Sequence, residues 1–164
     1  KVQHCVHDLH LIMNHARQSH PHCSLFACSI GAYFSLLAYA NEPLEQALFL
    51  SPIVDMERII HYLMQSFHIS EAQLKIEQQI ATPIGKTLYW DYYCYVKEHL
   101  ISTWPIQTAV LYGSNDAICD QETIDSFCQK FATHLTIMDE GEHYFHTPEQ
   151  LAFFKHWLNQ HLAL

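Results

Sequence analysis

Leu25-Phe26-Ala27-Cys28-Ser29-Ile30-Gly31-Ala32-Tyr33 decides the fold. Leu25 to Cys28 is a short continuous apolar run, the pattern of a strand covered on both faces in a parallel sheet. From Ala32 the apolar residues change period: Ala32, Tyr33, Leu36, Leu37 and Ala40 follow helical spacing. A buried strand therefore turns directly into a helix, and the turn carries a serine.

Working outward, Ala47-Leu48-Phe49-Leu50 reads as a second strand closed by Ser51-Pro52, which makes a strand-helix-strand unit with a right-handed crossover. Upstream, Val2, Val6, Leu9, Ile12, Met13 and Ala16 form one helical stripe that ends near His20-Pro21. Downstream, residues 55–103 read as an inserted helical cap or lid rich in Tyr, Phe and Trp. Strand rhythm returns at Thr108 to Tyr112, followed by the turn Gly113-Ser114-Asn115-Asp116. A helix with Ile124, Phe127, Cys128 and Phe131 on one face leads to a strand, Leu135 to Met138, and to the loop Asp139-Glu140-Gly141-Glu142-His143. Thr147, Pro148 and Gln150 mark the start of a last helix whose predicted buried stripe is Leu151, Phe154, Leu158 and Leu162. Four strands alternating with helices in one domain over residues 1–164 predict an α/β layered fold with a mostly parallel sheet.

Composition narrows the partners. The chain is 49% hydrophobic and 15% charged, which fits a globular domain and excludes a disordered one. A net charge of -9 has the wrong sign for neutralising phosphate, so no nucleic-acid partner is expected. No apolar run is long enough to span a bilayer, and Lys1 to His10 has no signal-peptide core, so a cytoplasmic protein is expected. Its 6 cysteines lack a CxxC pair and read as reduced hydrophobes. His4, His7 and His10 recur every three residues on the first helix, but the positions drift around it. They read as a solvated face, and no metal or cofactor is expected.

Three residues carry the chemistry. Ser29 sits on a tight strand-to-helix turn, where Ala27 and Gly31 supply small neighbours and the helix amino terminus favours developing negative charge. Asp116 and His143 each follow a later strand through a turn, at carboxyl ends where open α/β sheets place ligands. Asp55, just past the second strand, and Asp139 are rival acids. Cys28 reads as packing, buried and pointing away from the serine. Tyr89, Trp90, Tyr92, Tyr93 and Tyr95 read mainly as core, with some faces reaching a pocket.

Taken together, Ala27-Cys28-Ser29-Ile30-Gly31, Leu111-Tyr112-Gly113-Ser114-Asn115-Asp116 and Gly141-Glu142-His143-Tyr144-Phe145 resemble the carboxyl-terminal part of an α/β-hydrolase superfamily protein, of the serine-hydrolase branch with a helical cap. The order serine, acid, histidine is that fold's order. The resemblance implies that Ser29 is the nucleophile, His143 the general base and Asp116 its orienting acid. It implies that the Ile30 backbone N–H is an oxyanion donor, and that the substrate is a small carboxylic ester or thioester. Strands that precede the nucleophile strand in this family are not in the sequence, nor is the loop giving the second oxyanion donor. An exposed apolar sheet edge is therefore expected, covered by a preceding segment or a second copy. A non-catalytic binding module on the same fold, and a His-rich metal binder, are the competing functions.

Overall fold

The computed structural model describes residues 2–162; Lys1, the first residue of the stretch scanned for a signal peptide, lies outside them. The elements in chain order are α1 (Val2–Ser19), β1 (Leu25–Cys28), α2 (Ile30–Tyr39), β2 (Ala47–Leu50), α3 (Met56–Ser66), α4 (Glu71–Glu77), β3 (Gln79–Ala81), β4 (Thr87–Tyr89), α5 (Trp90–Glu98), β5 (Thr108–Gly113), α6 (Gln121–Phe131), β6 (His134–Met138) and α7 (Pro148–Leu162). The main sheet has four parallel strands in the order β1-β2-β5-β6. The fold class read from the sequence is the one observed.

Alternation along the strands sorts the core into two layers, because successive side chains point to opposite faces. Leu48, Ala109 and Leu111 face α7, where they meet Phe145 and Trp157. Phe49, Val110 and Tyr112 point the other way, into the larger core built with α2, α3, α5 and α6. All six residues of β5 are buried, as expected of a central parallel strand.

β1 differs from its prediction. It lies at the edge of the sheet, and Phe26 and Cys28 are exposed on the α7 side while Ala27 is buried on the other. Phe26 reaches Phe154 at a ring separation of 5.8 Å, but α7 does not extend across it. The apolar run predicts cover on both faces, whereas cover at an edge strand comes from one layer. Ile12 likewise falls outside the buried face of α1.

Two further elements depart from expectation. The segment between β2 and β5 contains the antiparallel ribbon β3–β4 in addition to three helices. On α7, Leu151 and Leu162 are exposed, and Trp157 and Gln150 are the buried residues. Trp157 fills the space under β2 and β5, and this sets the rotation of the helix. Gln150 donates its backbone N–H to Thr147 Oγ1, and its side chain accepts from the His146 N–H.

Leu111 is wholly buried between β5 and α7. Leu111→Ala should lower the unfolding free energy by about 2–5 kcal/mol, read as a shift in the urea midpoint, because the cavity cannot collapse between two packed layers.

Candidate active site

The serine turn is built by backbone strain and two ladder-end hydrogen bonds. Ser29 has φ 50 and ψ -127, an unfavourable conformation for a residue with a Cβ, worth about 1–3 kcal/mol. Its N–H donates to Leu50 O at 3.1 Å, and its C=O accepts from the Ile53 N–H at 3.0 Å, so the turn is tied to the end of β2. Although Ser29 occupies the N-cap position of α2, its hydroxyl makes no cap bond. The hydroxyl points instead to His143.

Ser29 Oγ lies 2.8 Å from His143 Nε2, and His143 Nδ1 lies 2.7 Å from Asp116 Oδ2. A carboxylate only accepts, so Nδ1 carries the proton and Nε2 is free to accept from the serine. The other Asp116 oxygen, Oδ1, accepts from the backbone N–H groups of Ile118 at 2.8 Å and Cys119 at 3.0 Å. The side chains of His143 and Asp116 are almost entirely withdrawn from water. In such a setting electrostatic interactions weaken less than they would at the surface.

The rival acids are engaged elsewhere. Asp55 caps α3, accepting from the Arg58 N–H at 2.9 Å, and Asp139 accepts from the Glu140 N–H at 3.1 Å and the Ser114 hydroxyl at 3.3 Å. Ile30 opens α2, so its N–H belongs to the first helical turn, whose amides have no partner within the helix. Gly31 is not crowded: a Cβ there would meet nothing within 4 Å, so contact does not demand its smallness. Cys28 is exposed, a correction that follows from the edge position of β1.

The loop carrying Asp116 is held from below. Tyr112 donates its hydroxyl to Cys119 O at 2.8 Å, and burial pushes this phenol up to about 12. Burial, with the charges of Asp116 and Asp120 beside it, pushes the Cys119 thiol up to about 12 as well. A cleft of about 820 Å³ opens beside Asp116, walled by Ile59 and Tyr62 of α3 and by Ile118. Of the five aromatic residues singled out in α5 and β4, Tyr93 is core, Trp90, Tyr92 and Tyr95 pack against it, and Tyr89 is exposed. Among the described residues no group of three or more His, Cys, Asp or Glu is arranged to hold a metal ion. His4, His7 and His10 belong to no such group.

The sequence matches no family model, and no curated protein matches it. Solved structures do. Est1E from Butyrivibrio proteoclasticus, with ferulic acid bound, superposes with a TM-score of 0.74 at 16% identity over 94% of this chain and 67% of that one. The mouse alpha/beta hydrolase domain-containing protein 10 gives 0.68 at 12% identity, over 96% of this chain and 69% of that one. An esterase from Pyrococcus furiosus gives 0.68 at 11% identity, over 96% of this chain and 61% of that one. The chain thus has the α/β-hydrolase fold. It spans between 61% and 69% of the length of these three structures. No helix among the described residues is long and apolar enough to cross a membrane.

The raised Cys119 thiol sets a pH dependence. The unfolded chain loses this proton near 9.0 and the folded one near 12, so the folded state holds more protons between those values. The Cys119 contribution should be constant below pH 9, and stability should fall as pH rises from 9 toward 12. Urea unfolding across that range checks this, and Cys119→Ala should make the fall shallower, leaving the part due to the raised phenols such as Tyr112.

Proposed function

We propose that the protein is a serine hydrolase in which Ser29, His143 and Asp116 act as nucleophile, general base and orienting acid on a carboxylic ester or thioester. The observation that supports this reading most directly is the unbroken chain of contacts at 2.8 Å and 2.7 Å running from Ser29 Oγ through His143 to Asp116. In the first half-reaction Ser29 Oγ bonds to the substrate carbonyl carbon while its proton moves to His143 Nε2. The backbone N–H of Ile30 donates to the oxyanion. His143 then returns the proton to the departing alcohol or thiol, leaving an acyl group on Ser29. A water molecule, deprotonated by His143, attacks that acyl group; the bond to Ser29 Oγ breaks, His143 returns the proton to Oγ, and the acid is released. Asp116 stays ionised and fixes the imidazole tautomer throughout.

Residues 55–103 serve as a cap over the strand ends in this reading, with the cleft beside Asp116 receiving part of the substrate. Arg58 supports the arrangement by joining α3 to the start of α6, through Asp120 at 2.9 Å. A cytoplasmic setting suits the six cysteines, all of them free.

A second reading, an interaction module on the hydrolase fold, draws support from the edge position of β1, whose exposed Phe26 and Cys28 would be covered by further strands or a second copy.

A fluorophosphonate should label Ser29, and Ser29→Ala should abolish the label. Asp116→Asn should lower the turnover of p-nitrophenyl acetate by roughly 10³ to 10⁴-fold, since the imidazole would take the wrong tautomer. A well-folded protein that the reagent leaves unlabelled would select the interaction module.

A further inference from the structure

Asp116 and His143 stand on different loops, one after β5 and one after β6, so their 2.7 Å contact depends on how those loops are held together. Regular pairing of the two strands ends at Gly113 opposite Met138. Beyond that point the loops keep exchanging hydrogen bonds. Ser114 N–H donates to Met138 O at 3.0 Å, Asn115 N–H to Gly141 O at 2.8 Å, and Glu140 N–H to Ser114 Oγ at 2.8 Å.

Gly113 and Gly141 lie at the centre of this exchange. A Cβ on Gly113 would fall on the carbonyl group of Gly141, far inside van der Waals contact, and 2.9 Å from the Glu142 nitrogen. A Cβ on Gly141 would lie 2.9 Å from Gly113 Cα and 3.1 Å from Met138 O. The atoms in the way are mostly backbone, so no side chain can swing aside. Neither residue is among those with positive φ; Gly85 is the glycine that needs that freedom. Their value is the absence of a side chain, which allows the two backbones to touch.

We propose that Gly113 and Gly141, with the Ser114 hydroxyl, form a backbone clasp that sets the distance between Asp116 and His143, and that all three are positioning residues for the site. The inference rests on the proposed roles of Asp116 and His143 for its functional meaning, though the clasp itself is a matter of geometry. Carbon atoms in ordinary contact sit about 3.5–4.0 Å apart, so a methyl at position 113 separates the loops by about 1 Å. A 2.7 Å hydrogen bond opened by that much is no longer one. A displacement of about 1 Å costs on the order of 100-fold in rate.

The test reads the hydrogen bond directly. In the wild type, the His143 Nδ1–H proton should give a downfield NMR resonance that exchanges slowly with water, because its donor is buried and bonded. In Gly113→Ala that resonance should move upfield and exchange fast, and fluorophosphonate labelling of Ser29 should slow about 100-fold. Ile124→Val, a change in the α6 core, should lower the Tm and leave the resonance in place, which separates positioning from general destabilisation. If Gly113→Ala does not fold, Ser114→Ala, at an exposed position, provides the same readout through faster exchange. A folded Gly113→Ala with an unchanged resonance overturns the clasp, as does an unchanged exchange rate in Ser114→Ala. If the wild type shows the resonance but no labelling, the hydrolase reading fails while the clasp is still decided by the NMR result.

Discussion

Everything at the site depends on the parallel ladder that locks β5 between β2 and β6. Leu50 pairs with Leu111, and Gly113 with Met138, so the strands end together at one edge of the sheet. Parallel strands send all their following loops to the same side, and the loops after β1, β5 and β6 carry Ser29, Asp116 and His143. The burial of β5 on both faces keeps this arrangement rigid, because slippage of one residue would turn Leu111 and Val110 to the wrong layers. Geometry at the tenth-of-nanometre scale at the top of the sheet is inherited from packing below it.

The segment between β2 and β5 joins the main apolar core through Ile60, Met64, Leu74, Tyr93 and Val96, and polar contacts add to this. Tyr93 donates to Glu71 at 3.0 Å and contacts His61 at 2.8 Å, while Lys97 lies 5.0 Å over the Tyr93 ring. Arg58 then joins this segment to Asp120, which caps α6 just beyond the Asp116 loop. Burial works against ionisation of Asp120, but hydrogen bonds from Thr123 and the charge of Arg58 hold its carboxyl below the usual range. The Arg58–Asp120 contact is an exposed ion pair, weaker and more sensitive to salt than the core beneath it.

Much of this was readable in the sequence where local chemistry and tertiary role coincide. β2 was read to the residue, since Ala47 to Leu50 is apolar and Ser51-Pro52 stops it. That Ser29, Asp116 and His143 each follow the end of a strand is legible too, because each comes after an apolar run and a turn. What escaped depended on neighbours distant in the chain. The run Leu25 to Cys28 looks the same at an edge as in the middle of a sheet, so the exposure of Phe26 and Cys28 was hidden. The ribbon of Gln79–Ala81 and Thr87–Tyr89 is too short and too mixed in composition to show a period. On α7, the leucines suggested one face, but the bulk of Trp157 chose another. Gly113 and Gly141 were legible as turn residues only, because their mutual contact brings together positions on two separate loops.

The conformation of Ser29 sets backbone ease against side-chain identity. At φ 50 and ψ -127 a glycine would rest without strain, and a β-branched residue would fit worst. Relief of the local strain therefore lies in the direction of losing the hydroxyl. Backbone ease and the hydroxyl's 2.8 Å contact with His143 therefore pull in opposite directions at this one position.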